Sequence, residues 1–590
     1  MKHTKSYIKG HPNPQFSRKD FINLNGKWEF CFDDENKGII NKYFDKFPKT
    51  HDINVPYTYE CKNSGINLDE EHNIVWYNKS FEYKLNKDKK TLLHFEGVDY
   101  EVRVYINGTF VKEHIGGYSS FSVDITDYLV DGENKITVRV YDDKSCDRPR
   151  GKQRWLKDKH SIFYVATTGI YKSVWLENVS LTYLKKVLIN PLFNKNAVEI
   201  EYEFIGDIAN YEIETVISVE GDLVSKERKT LTRNIFTQTF DVRVDKATMK
   251  VHEWDYVHPT LYDIEFNVYK NNILVDQIGS YFGMVYYHTM NNHIYINNWK
   301  KFLKLVLDQG YSKDGGLTLS EEEIIEDITL MKDIGLNGCR KHQKIESHLF
   351  YYYCDILGFH LWQELPSCYD WNSITQRNII DEWTNILYEH HNHPCIMSNV
   401  IINESWGTPR IEINEEQQRF VDGLYYLTKS IERDRFVISN DGWGHTTSDL
   451  YTAHDYSSSY EKTKKVIEEA IYEKDNYGEI TQLGYHTLSS YNHKSLNTNK
   501  PIIMSEFAGI AFKQEEGWGY GDLVNNEEEY LTRLKGVIQA ISESSLFSGY
   551  CITQLTDTYQ EINGLFTFDR KDKVNRDKLR DIIKTYPFIN

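Results

Sequence analysis

The 590-residue sequence is sparing with cysteine, and its eight cysteines (31, 61, 146, 339, 354, 368, 395 and 551) are scattered with no C-x-x-C pair. That scatter suggests neither a disulfide framework nor a cysteine zinc site, and it fits reduced thiols in a cytoplasmic protein. No apolar run approaches the length of a membrane span. The opening Met1-Lys2-His3-Thr4-Lys5-Ser6 leads into no apolar core, so no signal peptide is expected. No basic cluster stands out against a formal net charge of −18, which argues against nucleic acid or an anionic membrane as partner. Repeats of about 20–50 residues are absent apart from one βα period. Aromatic side chains, in contrast, are plentiful: 14% of the chain, with 43 Tyr and 12 Trp. Large β-sheet cores account for most of such an excess, and ring faces that stack on sugars account for the rest. The length exceeds what one hydrophobic core supports, so about three domains are expected.

Two stretches deliver a carboxylate to the end of an apolar run. Val400-Ile401-Ile402 ends in Asn403-Glu404-Ser405-Trp406, and Ile502-Ile503-Met504 ends in Ser505-Glu506-Phe507. A buried parallel strand reads as a continuous apolar run, and in an α/β barrel the residues just past such strands sit at the catalytic face. Two facing carboxylates are the minimum equipment for glycoside hydrolysis. Alone, an Asn-Glu after an apolar run reads as a helix cap or an exposed turn; the two motifs together, in this order, are more specific. Asn403-Glu404 with Ser405-Trp406 resembles the acid/base motif of glycoside hydrolase family 2, which includes β-galactosidases, β-glucuronidases and β-mannosidases. Ser505-Glu506-Phe507-Ala508-Gly509 resembles its nucleophile motif. The resemblance covers nearly the whole chain.

Taken in order, residues 1–180 read as all-β, with short alternating runs broken by turns. Val102–Ile106 followed by Asn107-Gly108 predicts a tight hairpin. This region resembles the family's jelly-roll, sugar-binding-type domain, with Gly169–Glu177 as its closing strand. Residues 181–285 have the strand spacing of an immunoglobulin-like sandwich and carry no evident chemistry. From 286 to 590 the pattern alternates strand and helix, the signature of a (β/α)8 TIM barrel. Its strands are expected around Lys301–Leu307, Leu336–Arg340, Phe359–Gln363, Ile396–Ile402, Phe436–Ser439, Leu450–Ala453, Ile502–Met504 and Tyr550–Leu555. Ser320 with Glu323 has capping-box spacing ahead of a helix that Gly335 ends. Residues 455–500 read as an inserted loop and helix near the mouth. The basic stretch Asp147–Trp155 reads first as a solvated loop; the sharper alternative is an arm that reaches the barrel mouth.

The resemblance assigns the site. Glu404 is expected to be the general acid/base, with a pKa raised by burial and by its charged partner. Glu506 is expected to be the nucleophile of a covalent glycosyl-enzyme, as in a retaining enzyme. Asn403 would fix the strand end and bond the sugar 2-hydroxyl. Arg340 matches the arginine beneath the nucleophile. His342 is the pocket histidine, although the family places one at position 343, where this chain has Gln343. Glu364 is a third strand-end carboxylate that bears on the sugar or a metal, or else pairs with Arg340 or His342. Tyr456, in His454-Asp455-Tyr456, is the candidate tyrosine bonding the nucleophile, the alternative being a core tyrosine. Asp441, in Asp441-Gly442-Trp443, would contact sugar hydroxyls beside a stacking face, and Trp406 joins the substrate contacts. Thr553 falls where many members carry tryptophan. No cofactor and no metal are expected.

Specificity turns on Glu561-Ile562-Asn563 before Gly564-Leu565-Phe566. β-Glucuronidases of the family carry Asn-x-Lys there to grip the sugar carboxylate. Glu561 in the asparagine position would repel a uronic acid, unless Lys571 and Lys573 compensate. The expectation is therefore an exo-β-glycosidase on a neutral sugar, β-galactosidase-like first. β-Glucuronidase, β-galacturonidase and β-mannosidase are the alternatives within the family. Outside that class stand an inverting hydrolase and a non-catalytic carbohydrate-binding protein on the same fold. Oligomers are frequent in the family, so a homo-oligomer is a further expectation.

Overall fold

A computed structural model describes residues 2–585 apart from 246, 478, 485, 491–498 and 514–515. The front of the chain folds as two facing antiparallel sheets. One has four strands (Phe21–Asn23, Val174–Ser180, Lys89–Phe95, Phe121–Asp124) and the other six, built around Ile74–Tyr83 and Gly132–Tyr141. Alternating apolar residues from both sheets, among them Trp28, Tyr77, Leu93, Val104 and Val138, form the core between them. At the hairpin, Ile106 pairs with Thr109 while Asn107 and Gly108 both take positive φ, as a two-residue type I′ turn requires. A second sandwich follows, of three strands against four, from Tyr183–Leu192 to Ile273–Phe282. Its core holds Ile200, Tyr202, Phe204, Ile213 and Phe266.

The rest is an eight-stranded parallel sheet wrapped towards a barrel. Its strands are β1 (Leu303–Asp308), β2 (Gly338–Lys341), β3 (His360–Glu364), β4 (Ile396–Asn403), β5 (Phe436–Asp441), β6 (Tyr451–Asp455), β7 (Ile502–Ala508) and β8 (Phe547–Thr553). They lie in the order β5-β4-β3-β2-β1-β8-β7-β6. Between β5 and β6, Gly442 N donates to Thr452 Oγ1 at 2.9 Å. Among the described residues the α-helices are α1 (Glu321–Asp333), α2 (His348–Leu357), α3 (Ser373–His390), α4 (Glu415–Ile431), α5 (Tyr460–Tyr477), α6 (Glu527–Glu543) and α7 (Arg576–Thr585). Ser320 and Glu323 close a reciprocal capping box on α1. The expected β8 begins three residues too late, because Phe547-Ser548-Gly549 is not an apolar run yet pairs with β7 and β1. The insert after β6 contains α5 and a short ladder, Gln482–Leu483 with His486–Thr487; its residues 491–498 lie outside those described. Among the described residues no helix is long and apolar enough to cross a membrane.

The solvated-loop expectation for residues 147–155 is overturned. Arg148, Arg150, Lys152, Gln153 and Arg154 are all buried. Asp142 takes ion pairs from Arg148 (3.2 Å) and Arg150 (2.8 Å), and Asp69 pairs with Arg154. The three arginines of the arm are thus neutralised by carboxylates of its own domain, which lets a basic segment leave water. The backbone N–H groups of Arg150 and Gly151 both donate to Ser367 O, just past β3. Gly151 has φ +60°, and a Cβ there would sit 2.3 Å from Gln343 O, so only glycine permits this close seating. The arm docks on the barrel mouth.

Candidate active site

The strand ends converge on one network of ionised groups. Arg340, on β2 and fully buried, is its hub. Its Nε lies 2.6 Å from Glu364 Oε2, Nη1 lies 2.5 Å from Asp441 Oδ2 and 3.1 Å from Glu506 Oε1, and Nη2 lies 2.6 Å from Asn403 Oδ1. Burial alone would drive off its proton, but Asp441, Glu364 and Glu506 hold it charged, well above its ordinary value. Glu364 closes β3, accepting from Gln343 N at 3.0 Å. His342 Nδ1 is 3.0 Å from Glu364 Oε1 and 3.2 Å from Arg340 Nη2. Burial, then the charges of Lys152 and Arg340, keep that imidazole neutral. Arg340, Glu364 and Asp441 are each 0% exposed. Asp441, expected to contact sugar hydroxyls, is held by Arg340 and by His454 Nε2 at 2.8 Å, and Trp443 beside it stacks on His486 at 4.6 Å.

Glu404 and Ser405 both take left-handed backbone (φ +48° and +59°) just after β4. Such residues cost about 1–3 kcal/mol each. Here Glu404 N is tied to Asp441 O (3.0 Å) and Ser405 N to Asn440 Oδ1 (2.8 Å), which offsets the strain. Glu506 sits on β7 at a register shift against β8, a local irregularity that re-aims a side chain. Tyr456, just past β6, donates to Glu506 Oε2 at 2.6 Å, and its ring stacks on Tyr520 at 3.5 Å.

Sequence reasoning missed His454, the last strand residue but one on β6. Its Nδ1 is 2.8 Å from Glu404 Oε1, its Nε2 is 2.8 Å from Asp441 Oδ2, and Glu506 Oε1 lies 3.5 Å from Nε2. Burial would make it neutral, but Glu506, Asp441 and Glu404 lift its pKa to about 10. The imidazolium in turn corrects the expectation for Glu404. Burial does raise that carboxyl, yet the His454 hydrogen bond and charge, with Lys152 and Arg340 behind, bring it below its ordinary value. Gly442 makes room for this ring: with φ +85°, a Cβ there would lie 2.3 Å from the His454 imidazole. One oxygen of Glu404, one of Glu506 and a nitrogen of His454 lie within 4.8 Å of one another, a spacing that metal ligands share. Both His454 nitrogens are engaged with carboxylates, so neither offers a free lone pair.

The arm supplies the other wall. Lys152 is 5% exposed, and its ammonium makes no hydrogen bond or ion pair with a described residue. Its charge acts on His342, Glu404 and Glu561. Tyr164, further along the front domain, donates to Glu561 Oε2. Burial pushes the Glu561 carboxyl up to about 7, against the pull of Lys152 and Tyr164. Asn563 is buried with neither amide atom paired among the described residues. Lys573 bonds Asp557 and Ile562 O instead, and Lys571 is exposed, so neither compensates for the change at Glu561. Trp406 joins an aromatic rim shared between domains. Tyr369 is 5.2 Å and Phe163 6.2 Å from it, and Trp155 packs 4.6 Å from Tyr369.

Three family models match the chain. The family model described as "Glycosyl hydrolases family 2, sugar binding domain" covers residues 21–179, that of "Glycosyl hydrolases family 2" covers 182–284, and that of "Glycosyl hydrolases family 2, TIM barrel domain" covers 288–585. A protein of Formosa agariphila named putative beta-glucuronidase is 25% identical over 534 residues, 85% of this chain and 62% of its own length. A beta-galactosidase of Thermoanaerobacter pseudethanolicus is 29% identical over 448 residues, 71% of this chain and 56% of its own. The chain thus spans less than two thirds of these relatives. Among solved structures, a beta-glucuronidase of an uncultured Clostridium superposes with TM-score 0.79 at 19% identity, covering 98% of this chain and 99% of that one. A beta-galacturonidase of Eisenbergiella tayi gives 0.76 at 17%, covering 99% and 100%. These two share the fold.

Proposed function

The chain belongs to glycoside hydrolase family 2, and from that premise we propose that it is a retaining exo-β-glycosidase working through a covalent glycosyl-enzyme. One observation carries the reading: an oxygen of Glu404 and an oxygen of Glu506 lie within 4.8 Å of each other. Retaining enzymes hold their carboxyls about 5–5.5 Å apart, whereas an inverting one needs about 6.5–9.5 Å for its water.

In this mechanism Glu506 attacks the anomeric carbon while the bond to the leaving oxygen breaks and Glu404 passes it a proton. Water then attacks the ester, Glu404 takes the water's proton, and Glu506 leaves as carboxylate. Arg340 Nη1 and Tyr456 OH each donate to one oxygen of Glu506 and so hold its carboxylate in place for attack. The proton for the first step is held by the Glu404–His454 pair. A shift across that 2.8 Å hydrogen bond turns carboxylate and imidazolium into carboxylic acid and imidazole. The network needs no cofactor for this chemistry.

The substrate we favour is a terminal neutral β-glycoside, β-galactoside first, handled in a reducing, cytoplasmic setting that suits eight free thiols. Supporting it are Glu561, a carboxyl facing the pocket, and the Asn563 amide, which can both donate to and accept from a hydroxyl. A second reading, a β-uronide, rests on Lys152, whose ammonium has no counter-charge within ion-pair distance among the described residues. Hydrolysis of p-nitrophenyl galactoside, glucuronide, galacturonide and mannoside by wild type, Glu506→Gln and Lys152→Met separates them. If galactoside leads, Lys152→Met should change all sugars alike. If a uronide leads, losing one charge-assisted contact should remove it selectively by roughly 10–100-fold. No cleavage of any sugar by wild type, with sugar binding intact, would favour the non-catalytic alternative.

A further inference from the structure

Away from the barrel mouth, three histidines converge where the front domain packs on the barrel. His348 opens α2, His390 closes α3 and His393 follows it. They are 3%, 1% and 0% exposed, and one nitrogen from each lies within 4.8 Å of the others. Their rings are tilted to one another instead of stacked, at 51° for His348 with His390 and 39° for His390 with His393.

Nδ1 of His348, both nitrogens of His390 and Nε2 of His393 have no hydrogen-bond partner among the described residues. Each such buried group costs about 1–3 kcal/mol, and native proteins keep few of them. Glu389 faces the same point. Its Oε2 accepts from Ser120 N at 2.8 Å, while Oε1 makes no hydrogen bond and lies 3.3 Å from His348 Nε2 and 3.9 Å from His390 Nε2. A second layer orients one ring. His393 Nδ1 is 2.6 Å from Asp355 Oδ2, and Asp355 also accepts from Tyr281 OH (2.7 Å) and Cys395 N (2.9 Å). With Nδ1–H donated to that carboxylate, the lone pair of Nε2 is left for the cluster, the arrangement by which metal-bound histidines are fixed.

We propose that His348, His390 and His393, with Glu389 as fourth donor, form a buried site for a transition-metal dication, zinc first, which pins the front domain to the barrel. The donor set decides the metal class. Imidazole nitrogens with one carboxylate suit zinc and its neighbours, and are poor in the oxygens that calcium and magnesium require. Tetrahedral bonds of about 2.0–2.1 Å put nitrogens roughly 3.4 Å apart, within reach of small rotations from the observed spacing. The pinning follows from the neighbours. Ser120 N binds Glu389, Tyr118 N and Ser119 N bind Glu382 on the same helix, and His348 N binds Glu96 of the front domain.

The test is elemental analysis of the untagged full-length chain, produced in zinc-supplemented cells and passed through chelating buffer. About one zinc per chain is expected, and protein grown with cobalt should show the visible absorption of a tetrahedral Co²⁺ centre. His390→Gln and His348→Gln should each lower metal content at least about tenfold, and Asp355→Asn should weaken binding about 10–100-fold. The exposed His258 serves as control, with His258→Gln keeping its metal. Wild-type zinc at buffer background without the cobalt spectrum overturns the proposal, as does equal metal in wild type and His390→Gln. Wild-type content decides the matter even where a histidine variant fails to fold.

Discussion

Replacing His454 by glutamine isolates the group on which the proton chemistry rests. The ring touches Glu404 and Asp441 at 2.8 Å each and approaches Glu506 at 3.5 Å. Its pKa rises from 6.5 to about 10. That rise corresponds to something on the order of 5 kcal/mol in favour of the imidazolium. The Glu404–His454 pair then holds one proton across the neutral range, and the titration belongs to the pair. We expect the alkaline limb of kcat/KM near pH 10 in wild type. Glutamine keeps a hydrogen-bond donor but carries no titrating proton, so the limb should fall to that of Glu404 alone, well below pH 10. Stability follows with a defined sign. A folded-state pKa above the unfolded one contributes stability that is fully present below about pH 6.5 and is lost as pH rises through about 10. The stability gap between wild type and His454→Gln, measured by urea unfolding, should therefore be widest near pH 6 and shrink towards pH 10. The assay is kcat/KM for an aryl β-glycoside over that range. An active variant whose alkaline limb stays where it is in wild type, or a stability gap that grows with pH, would refute the reasoning.

Three further variants probe the remaining roles. Glu404→Gln should slow hydrolysis of alkyl glycosides about 10²–10⁴-fold, while glycosides with strongly acidic leaving groups keep most of their glycosylation rate; equal losses for both would deny Glu404 the acid role. Arg340→Met leaves Glu364, Asp441 and Glu506 without their shared cation and should cost about 3–5 kcal/mol of stability, seen as a lowered melting temperature; an unchanged melt would mean the guanidinium is not what organises this layer. Tyr456→Phe removes the 2.6 Å bond to Glu506 and should lower kcat roughly 10–100-fold with little change in KM or in circular dichroism. Loss of fold in that variant would point to a core role.

The parts of the molecule that could be read from the chain are those whose signal is local. The barrel strands announced themselves as apolar runs, the α1 cap as Ser320 with Glu323, and the hairpin as Asn107-Gly108, because sterics and burial act within a few residues. What escaped depends on which partners the fold brings together. The Asp147–Trp155 arm looks solvated until Asp142, Asp69 and the Ser367 carbonyl are known to neutralise and seat it. His454 stood in view beside Tyr456, but an imidazole's charge is set by neighbours, and two of these come from β4 and β7, about 50 positions away on either side. The sign of the Glu404 shift was lost with it. Asp441 read as a sugar contact because a strand-end carboxylate gives no sign of how deep it lies. The spacing of His390 and His393 was likewise visible, but His348, 42 positions before His390, gave no hint of joining them.

The measurement that bears most directly on the central claim is azide rescue with the anomeric product identified by NMR, using an activated aryl glycoside of the sugar wild type prefers. Removal of the nucleophile in Glu506→Ala lets azide attack the substrate once, giving the α-glycosyl azide. Removal of the acid/base in Glu404→Ala lets azide attack the glycosyl-enzyme, giving the β-glycosyl azide. The account predicts that pairing of variant and product. The opposite pairing, or the same anomer from both variants, would contradict the assignment of Glu506 as nucleophile and Glu404 as acid/base.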